Sequence, residues 1–180
     1  MPHYRVDHGG DIGKGRRKGP RPFSQKNAIH VVFRSVKARG QWSLLTRRNE
    51  SLVERLLKTC AKRYRIKVYR SENVGNHLHL LVKTEEKKYW LARDNFSGFL
   101  REFGGAVAFN ITGAKKASPQ GGFWEKRVYS RLVSWGREFD RIKEYFAKNF
   151  YEAKKLWTGA WDVDFQPVLA SMCEAGVGPP

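Results

Sequence analysis

The sequence predicts an α+β fold, a ferredoxin-like split βαβ sandwich with an antiparallel sheet. The main observation is the order of predicted elements, β-α-β-β-α-β-α, which is the split βαβ order followed by a further helix. A second is the length of 180 residues, which suits one domain with tails. In this fold the first and third strands are neighbours at the sheet centre. We expect helices on one face, an additional C-terminal helix, and a sheet face left for a ligand.

The first strand and helix follow from hydrophobic periodicity. Residues 28–36 (AIHVVFRSV) alternate as a half-buried strand does. One face carries Ile29, Val31 and Phe33, and the other carries His30, Val32 and Arg34. Asn49 or Ser51 is the predicted cap of a helix that ends near Tyr64. Its apolar stripe has helical spacing and includes Cys60, which is therefore predicted to be a core residue.

The middle of the chain predicts a hairpin and a second helix. Residues 66–73 and 77–83 are strands by their β-branched and aromatic content, and residues 74–76 form the turn between them. Asp94 or Asn95 then begins a helix over about 95–112, in which Gly104 and Gly105 lower the helix propensity.

The last elements are one or two short strands within residues 123–133 and a helix over about 137–152. The domain is predicted to span residues 25–156. A flexible basic arm (1–24) precedes it, and a C-terminal tail (157–180) follows it.

The charge favours a nucleic-acid partner. Lys and Arg number 35 against 17 Asp and Glu, a formal net charge of +18. Such a field attracts phosphates and releases counterions. A basic surface kept for solubility and an anionic membrane surface are the weaker alternatives. Arg16 and Arg17, in the basic run of residues 13–21, either contact phosphates or belong to a disordered tail.

Other function classes are disfavoured. No apolar run approaches the roughly 20 residues of a membrane-spanning helix, and the first residues lack the apolar core of a signal peptide. The two cysteines, Cys60 and Cys173, lack ligand-like spacing, which argues against a disulfide framework or a cysteine zinc site. We expect a reduced, cytoplasmic protein.

His77 and His79 are the strongest chemical signal. Side chains at i and i+2 of a strand point to the same face, about 7 Å apart, so two imidazoles there can bind one divalent ion. The alternative is that two histidines simply occupy a polar sheet face. Two ligands also leave a metal site incomplete.

The last helix offers the missing groups. Tyr145 and Asn149 are four residues apart and therefore share one helix face. An amide oxygen suits magnesium or manganese, and a phenol one turn away can attack a phosphate. Taken alone, the same residues also fit a boundary aromatic and a polar surface residue.

These segments together resemble a known family. Residues 75–82 (GNHLHLLV), 123–133 (FWEKRVYSRLV) and 142–149 (IKEYFAKN) resemble the motifs of single-tyrosine transposases of the HUH endonuclease superfamily. The REP-associated tyrosine transposases, which carry an IS200-like transposase domain, are the most similar branch. Residues 28–35 match their usual first strand, and the resemblance covers about residues 27–155.

The resemblance implies a role for each of these residues. It makes His77, His79 and Asn149 the ligands of Mg²⁺ or Mn²⁺ and Tyr145 the nucleophile that forms a 5′-phosphotyrosine in single-stranded or hairpin DNA. It also implies a prokaryotic, nucleoid-associated protein that acts as a monomer or a homodimer. Two positions depart from the family pattern: Gly75 and Phe150 stand where the family usually has proline, which suggests a divergent branch.

The predicted DNA contacts lie after the first strand and near the site. They are Arg34, Lys37, Arg39, Arg127 and Arg131, together with Arg16 and Arg17 of the arm. Trp124 fits base stacking and core packing equally well.

Several alternatives stay open at this point. Tyr129, on a strand with Arg127 and Arg131, is a rival nucleophile. His30 is expected to pack or contact DNA before it binds metal. The protein is also compatible with a non-catalytic, domesticated nucleic-acid-binding module, or with a metal-dependent nuclease that uses water.

Overall fold

The computed structural model describes residues 6–10, 19–114, 122–125 and 127–156, with only the backbone at residue 148 and residues 150–156. Five antiparallel strands form one sheet in the order β1-β5-β2-β4-β3. The strands are β1 (Asp7–His8), β2 (Ala28–Arg34), β3 (Ile66–Asn73), β4 (His77–Thr84) and β5 (Tyr129–Val133). The helices are α1 (Arg47–Arg63), α2 (Tyr89–Thr112) and α3 (Arg137–Leu156), and a 3-10 helix spans Gly40–Trp42.

The predicted α+β fold is confirmed, and the first and third predicted strands, β2 and β4, are direct neighbours. Their alternate side chains divide the sheet into two faces. Ile29, Val31 and Phe33 of β2, with Leu78, Leu80 and Val82 of β4, join the main core with α1 and α2. The other face packs against α3 through a smaller cluster that contains Leu81, Val133, Ile142 and Phe146. The sheet therefore has helices on both faces: α1 and α2 cover the first, and α3 is the helix that packs on the second within the described residues.

Helix α1 begins earlier than its predicted caps. The side chain of Thr46 accepts a hydrogen bond from the backbone N–H of Asn49 at 3.3 Å, so Thr46 is the cap. Asn49 lies inside the helix, where its amide donates to the carbonyls of Gln41 and Ser43. Cys60 is buried in the core, as predicted.

Helix α2 also begins earlier than predicted, at Tyr89, and it continues through Gly104 and Gly105. It ends at Thr112, as predicted, and Gly113 closes it in the left-handed conformation at φ 64°. Within the predicted 123–133 strand region, residues 129–133 form strand β5 and pair with β2.

The N-terminal segment differs from the predicted flexible arm where it is described. Asp7 and His8 pair with Arg131 and Ser130 as edge strand β1. The guanidinium of Arg21 donates to the carbonyl of Val128 at 2.9 Å and also contacts Ser130. These residues therefore belong to the folded domain because the exposed edge of β5 offers them backbone partners. Residues 157–180, the predicted tail, lie outside the described residues.

None of the helices in the described part of the chain has both the length and the apolarity needed to cross a bilayer.

Candidate active site

The sheet face beneath α3 carries three buried histidines. His77 and His79 come from β4 and His30 from β2, and each is no more than 3% exposed. Their neighbours in sequence point to the opposite face and pack in the main core. His77 and His79 therefore share one face of β4 with Leu81, whereas Leu78, Leu80 and Val82 pack on the other face.

The three imidazoles lie in a row, and neighbouring rings are nearly parallel. The ring centroids of His77 and His79 are 6.1 Å apart at an interplanar angle of 16°, and those of His79 and His30 are 5.6 Å apart at 20°. Nδ1 of His79 is 3.3 Å from Nε2 of His30. Nδ1 of His77 is 2.7 Å from Oδ1 of Asn76. Each histidine of β4 thus has its Nδ1 engaged by a neighbouring side chain.

Burial keeps these imidazoles neutral at pH 7. It lowers the pKa of His77 to about 4, and the nearby Arg34 guanidinium lowers it further in the same direction. Burial, with a smaller effect of Arg131, lowers the pKa of His30 to about 3. Burial lowers the pKa of His79 well below 6.5, and His30 and His77 add to the effect. Neutral imidazole is the form that binds a metal ion.

Helix α3 brings Tyr145 to the histidine row. Phe146 is fully buried, and its ring centroid lies 5.1 Å from that of His30 and 5.5 Å from that of His79. Because Phe146 anchors this turn of the helix, the half-buried ring of Tyr145 lies edge-on to His79, at 5.9 Å and 84°. Asn149, one turn further along, is buried at 7% exposure.

Tyr129 reaches the same row from β5. Its ring centroid is 6.0 Å from that of His30, at 80°. The two phenols therefore contact different histidines: Tyr145 contacts a predicted metal ligand, whereas Tyr129 contacts His30.

The donor set suits a divalent ion only if the amide of Asn149 takes part. Among the described residues, no group of three or more His, Cys, Asp or Glu side chains could hold a metal ion. Nε2 of His77 is nevertheless a buried polar atom without a hydrogen-bond partner. A buried atom of this kind is costly unless something binds it, so the imidazole of His77 suits a metal ion. Mn²⁺ accepts nitrogen ligands of this kind and also an amide oxygen such as that of Asn149.

Two of the predicted DNA-contacting arginines flank the row on the same face. Arg34 is the cross-strand partner of His77, and Arg131 is that of His30. Nε of Arg34 is 3.3 Å from a carboxylate oxygen of Glu125. Arg131 pairs with Glu138 in the first turn of α3, at 3.1 Å. Both cations are therefore partly balanced and held in place, which the sequence did not indicate.

The remaining predicted contacts are more dispersed. Lys37 and Arg39 are exposed in the segment that follows β2, and Arg127 is exposed just before β5. Arg16 and Arg17 lie outside the described residues.

Trp124 lies at the edge of the main core. Its ring contacts Phe33 and Phe123, at 5.2 and 4.8 Å between centroids. Its indole N–H donates to the carbonyl of Gly104 in α2 at 2.8 Å. This placement favours core packing over base stacking, the two roles between which the sequence did not choose.

The sequence analysis did not predict the contact between His30 and His79. The strand pattern places it on the correct face, and packing is the first role expected of it. Its nitrogen contact with His79 depends on the β2–β4 register, in which His30 lies opposite Leu81 and Val32 lies opposite His79. The pattern of one strand does not contain that register.

Comparison with known proteins supports the fold. No protein-family model and no curated protein matches the sequence. The solved structure of a REP-associated tyrosine transposase bound to a REP hairpin is similar, with a TM-score of 0.56 at 14% identity over 74% of this chain and 72% of that chain. A candidate transposase from Deinococcus radiodurans has a TM-score of 0.43 at 16% identity, over 74% of this chain and 98% of that chain. At these identities the first likeness shows a shared fold.

Proposed function

We propose that this protein is a transposase, a metal-dependent single-stranded DNA endonuclease and strand-transferase that forms a 5′-phosphotyrosine through Tyr145. One observation carries the proposal. The phenol ring of Tyr145 lies against His79, on a sheet face where the nearly parallel imidazoles of His77 and His79 are buried and neutral. The likeness of fold to a tyrosine transposase supports the same reading.

His77, His79 and Asn149 are the residues that would hold Mg²⁺ or Mn²⁺. A divalent ion bound there would reduce the negative charge on the scissile phosphate and polarise its oxygens. The chain's own contribution is to keep both imidazoles neutral through burial and to keep Asn149 on the sheet-facing side of α3.

Tyr145 supplies the nucleophile. Its phenol oxygen forms a bond to phosphorus as the bond between phosphorus and the 3′ oxygen breaks. The phenol loses one proton and the leaving oxygen gains one, so a free 3′-hydroxyl strand and a 5′-phosphotyrosine result. The covalent bond conserves the energy of the phosphodiester for joining to another DNA end.

Basic side chains around the site would bind the DNA backbone. Arg34 and Arg131 flank the histidines, and the exposed Lys37, Arg39 and Arg127 extend the positive surface beyond them. The net charge of +18 supports a polyanionic partner. The similar structure is bound to a REP hairpin, which makes hairpin DNA the first substrate to test.

The test is a covalent-adduct assay on hairpin DNA with single-stranded flanks, in the presence of Mn²⁺. We expect an adduct that survives denaturing electrophoresis, retains a label at the 3′ end of the DNA and loses a label at the 5′ end. Tyr145→Phe should abolish this adduct, whereas the matched variant Tyr129→Phe should retain it. If Tyr129→Phe loses the adduct and Tyr145→Phe keeps it, Tyr129 is the nucleophile and the assignment to Tyr145 is wrong.

A non-catalytic nucleic-acid-binding protein is the second candidate. It is favoured by the lack of any His, Cys, Asp or Glu cluster for a metal within the described residues. This function predicts salt-dependent DNA binding that needs no metal and survives His77→Ala, with no adduct under any condition. If the DNA is cleaved with no covalent adduct, and Tyr145→Phe still cleaves it, the protein is instead a nuclease that uses water.

A further inference from the structure

We infer that His30 is a positioning residue for His79: it accepts a hydrogen bond from Nδ1–H of His79 and so leaves Nε2 of His79 as the nitrogen with the free lone pair. This inference rests on the proposed function, because a free lone pair on Nε2 matters only if His79 binds a metal ion. It adds a residue from a second strand to the site.

The contact between the two imidazoles admits only two arrangements. Nδ1 of His79 and Nε2 of His30 are 3.3 Å apart, and both rings are buried. Each neutral imidazole has one N–H and one lone pair, so one of these two nitrogens donates and the other accepts. If His30 donated, His79 would carry its own proton on Nε2 and could not bind a metal through that atom.

His77 shows which arrangement suits the site. Its Nδ1 faces Oδ1 of Asn76 at 2.7 Å, and an amide oxygen can only accept. Nδ1 of His77 therefore carries the proton, and its Nε2 is the buried atom without a partner. The ring of His79 lies within 16° of parallel to that of His77. His30 thus occupies beside His79 the place that Asn76 occupies beside His77.

The packing around His30 keeps the two rings in register. Phe146 contacts both imidazoles from α3, and Tyr129 contacts His30 edge-on from β5. A ligand histidine in a metal site usually donates its second N–H to a fixed acceptor, and loss of that acceptor typically weakens metal binding by 10- to 100-fold. His30 meets this description for His79.

The tautomers can be read directly by ¹⁵N NMR of the full chain, metal-free and labelled at histidine. We expect His79 to be protonated at Nδ1 in the wild type and in His30→Gln, because the glutamine oxygen replaces the acceptor. In His30→Leu the acceptor is lost, and His79 should shift toward the Nε2–H form that free histidine prefers. Phe146→Leu, which alters packing against the same rings and leaves the acceptor in place, is the matched control and should keep the Nδ1–H form.

Mn²⁺ affinity, measured by the loss of the free-ion EPR signal, supplies the second readout. His30→Leu should bind about 10- to 100-fold more weakly than the wild type, and His30→Gln should recover most of the loss. A wild-type His79 protonated at Nε2, or an unchanged Mn²⁺ affinity in His30→Leu, would overturn the inference. Wild-type protein that binds Mn²⁺ as expected but forms no adduct would defeat the proposed transposase chemistry and leave the role of His30 supported.

Discussion

The two adjacent glycines in the middle of α2 give a sharp test of how closely this helix packs on the sheet. A Cβ atom added at Gly104 would lie 2.8 Å from Cε1 of Phe33 and 3.4 Å from Nε1 of Trp124. A Cβ atom added at Gly105 would meet nothing within 4 Å. The two sites share the same helix and differ only in the face that they occupy.

The expected effects on the free energy of unfolding therefore differ between the two sites. Glycine to alanine inside an exposed helix stabilises by about 1 kcal/mol, which is the whole effect expected for Gly105→Ala. At Gly104 the same gain is opposed by overpacking of about 1 to 3 kcal/mol. Phe33 has little room to move because it is fully buried and its ring contacts Phe103. A shift of Trp124 would also weaken its hydrogen bond to the Gly104 carbonyl, a contribution of about 1 kcal/mol.

Urea denaturation of the wild type and both variants measures this directly. We expect Gly105→Ala to be more stable than the wild type, and Gly104→Ala to be less stable than Gly105→Ala by about 1 to 3 kcal/mol. In a thermal melt this difference corresponds to about 2 to 4 °C per kcal/mol for a chain of this size. Equal stability of the two variants would refute the close contact between α2, Phe33 and Trp124.

Three further predictions follow from the buried and the basic residues. The pKa of His77 is about 4 in the folded protein and 6.5 when the side chain is exposed. The stability that the neutral imidazole contributes is therefore complete above pH 6.5 and is lost as the pH falls toward 4, which lowers the free energy of unfolding by about 3 kcal/mol. Measured in EDTA, the total fall in the free energy of unfolding over this pH range should be smaller in His77→Gln than in the wild type. Lys37→Gln and Arg39→Gln should each reduce the steepness of log affinity for single-stranded DNA against log salt by about 0.7. Lys58, which is exposed on α1 on the main-core face of the sheet, provides the control, and Lys58→Gln should leave this slope unchanged. Trp124→Phe should cost about 1 kcal/mol of stability through the lost indole hydrogen bond and leave DNA affinity intact, whereas a selective loss of affinity would support base stacking.

Much of the fold can be predicted from local pattern. The strands that flank the turn at residues 74–76 are visible in the sequence through their β-branched and aromatic content. The stripe of α1 is visible because its apolar residues recur at helical spacing on the buried face. The start of α2 is not visible in this way. Its N-cap, Lys88, makes no side-chain capping bond, and its first turn contains no acidic residue. Strand β1 forms because the edge of β5 offers backbone partners. It is only two residues long, which is too short to show a periodic pattern in the sequence.

In the candidate site, too, some features follow from local sequence spacing and others depend on how the strands pair. The i, i+2 spacing of His77 and His79 and the i, i+4 spacing of Tyr145 and Asn149 are local properties, and local geometry alone places each pair on one face. The contact between His30 and His79 is different, because it depends on the β2–β4 register. A shift of one residue would move His30 to the opposite face of the sheet.

The residues that pack α3 on the sheet also line the candidate site. Ile142 and Phe146 bury the sheet-facing side of the helix, and Tyr145 and Asn149 border the same stripe. Phe146 touches His30 and His79, so the residue that holds the helix on the sheet is also the wall of the histidine row. A helix that docked in any other rotation would expose Phe146 and carry Tyr145 away from His79. The apolar contact of α3 therefore selects the one orientation in which its phenol faces the imidazoles.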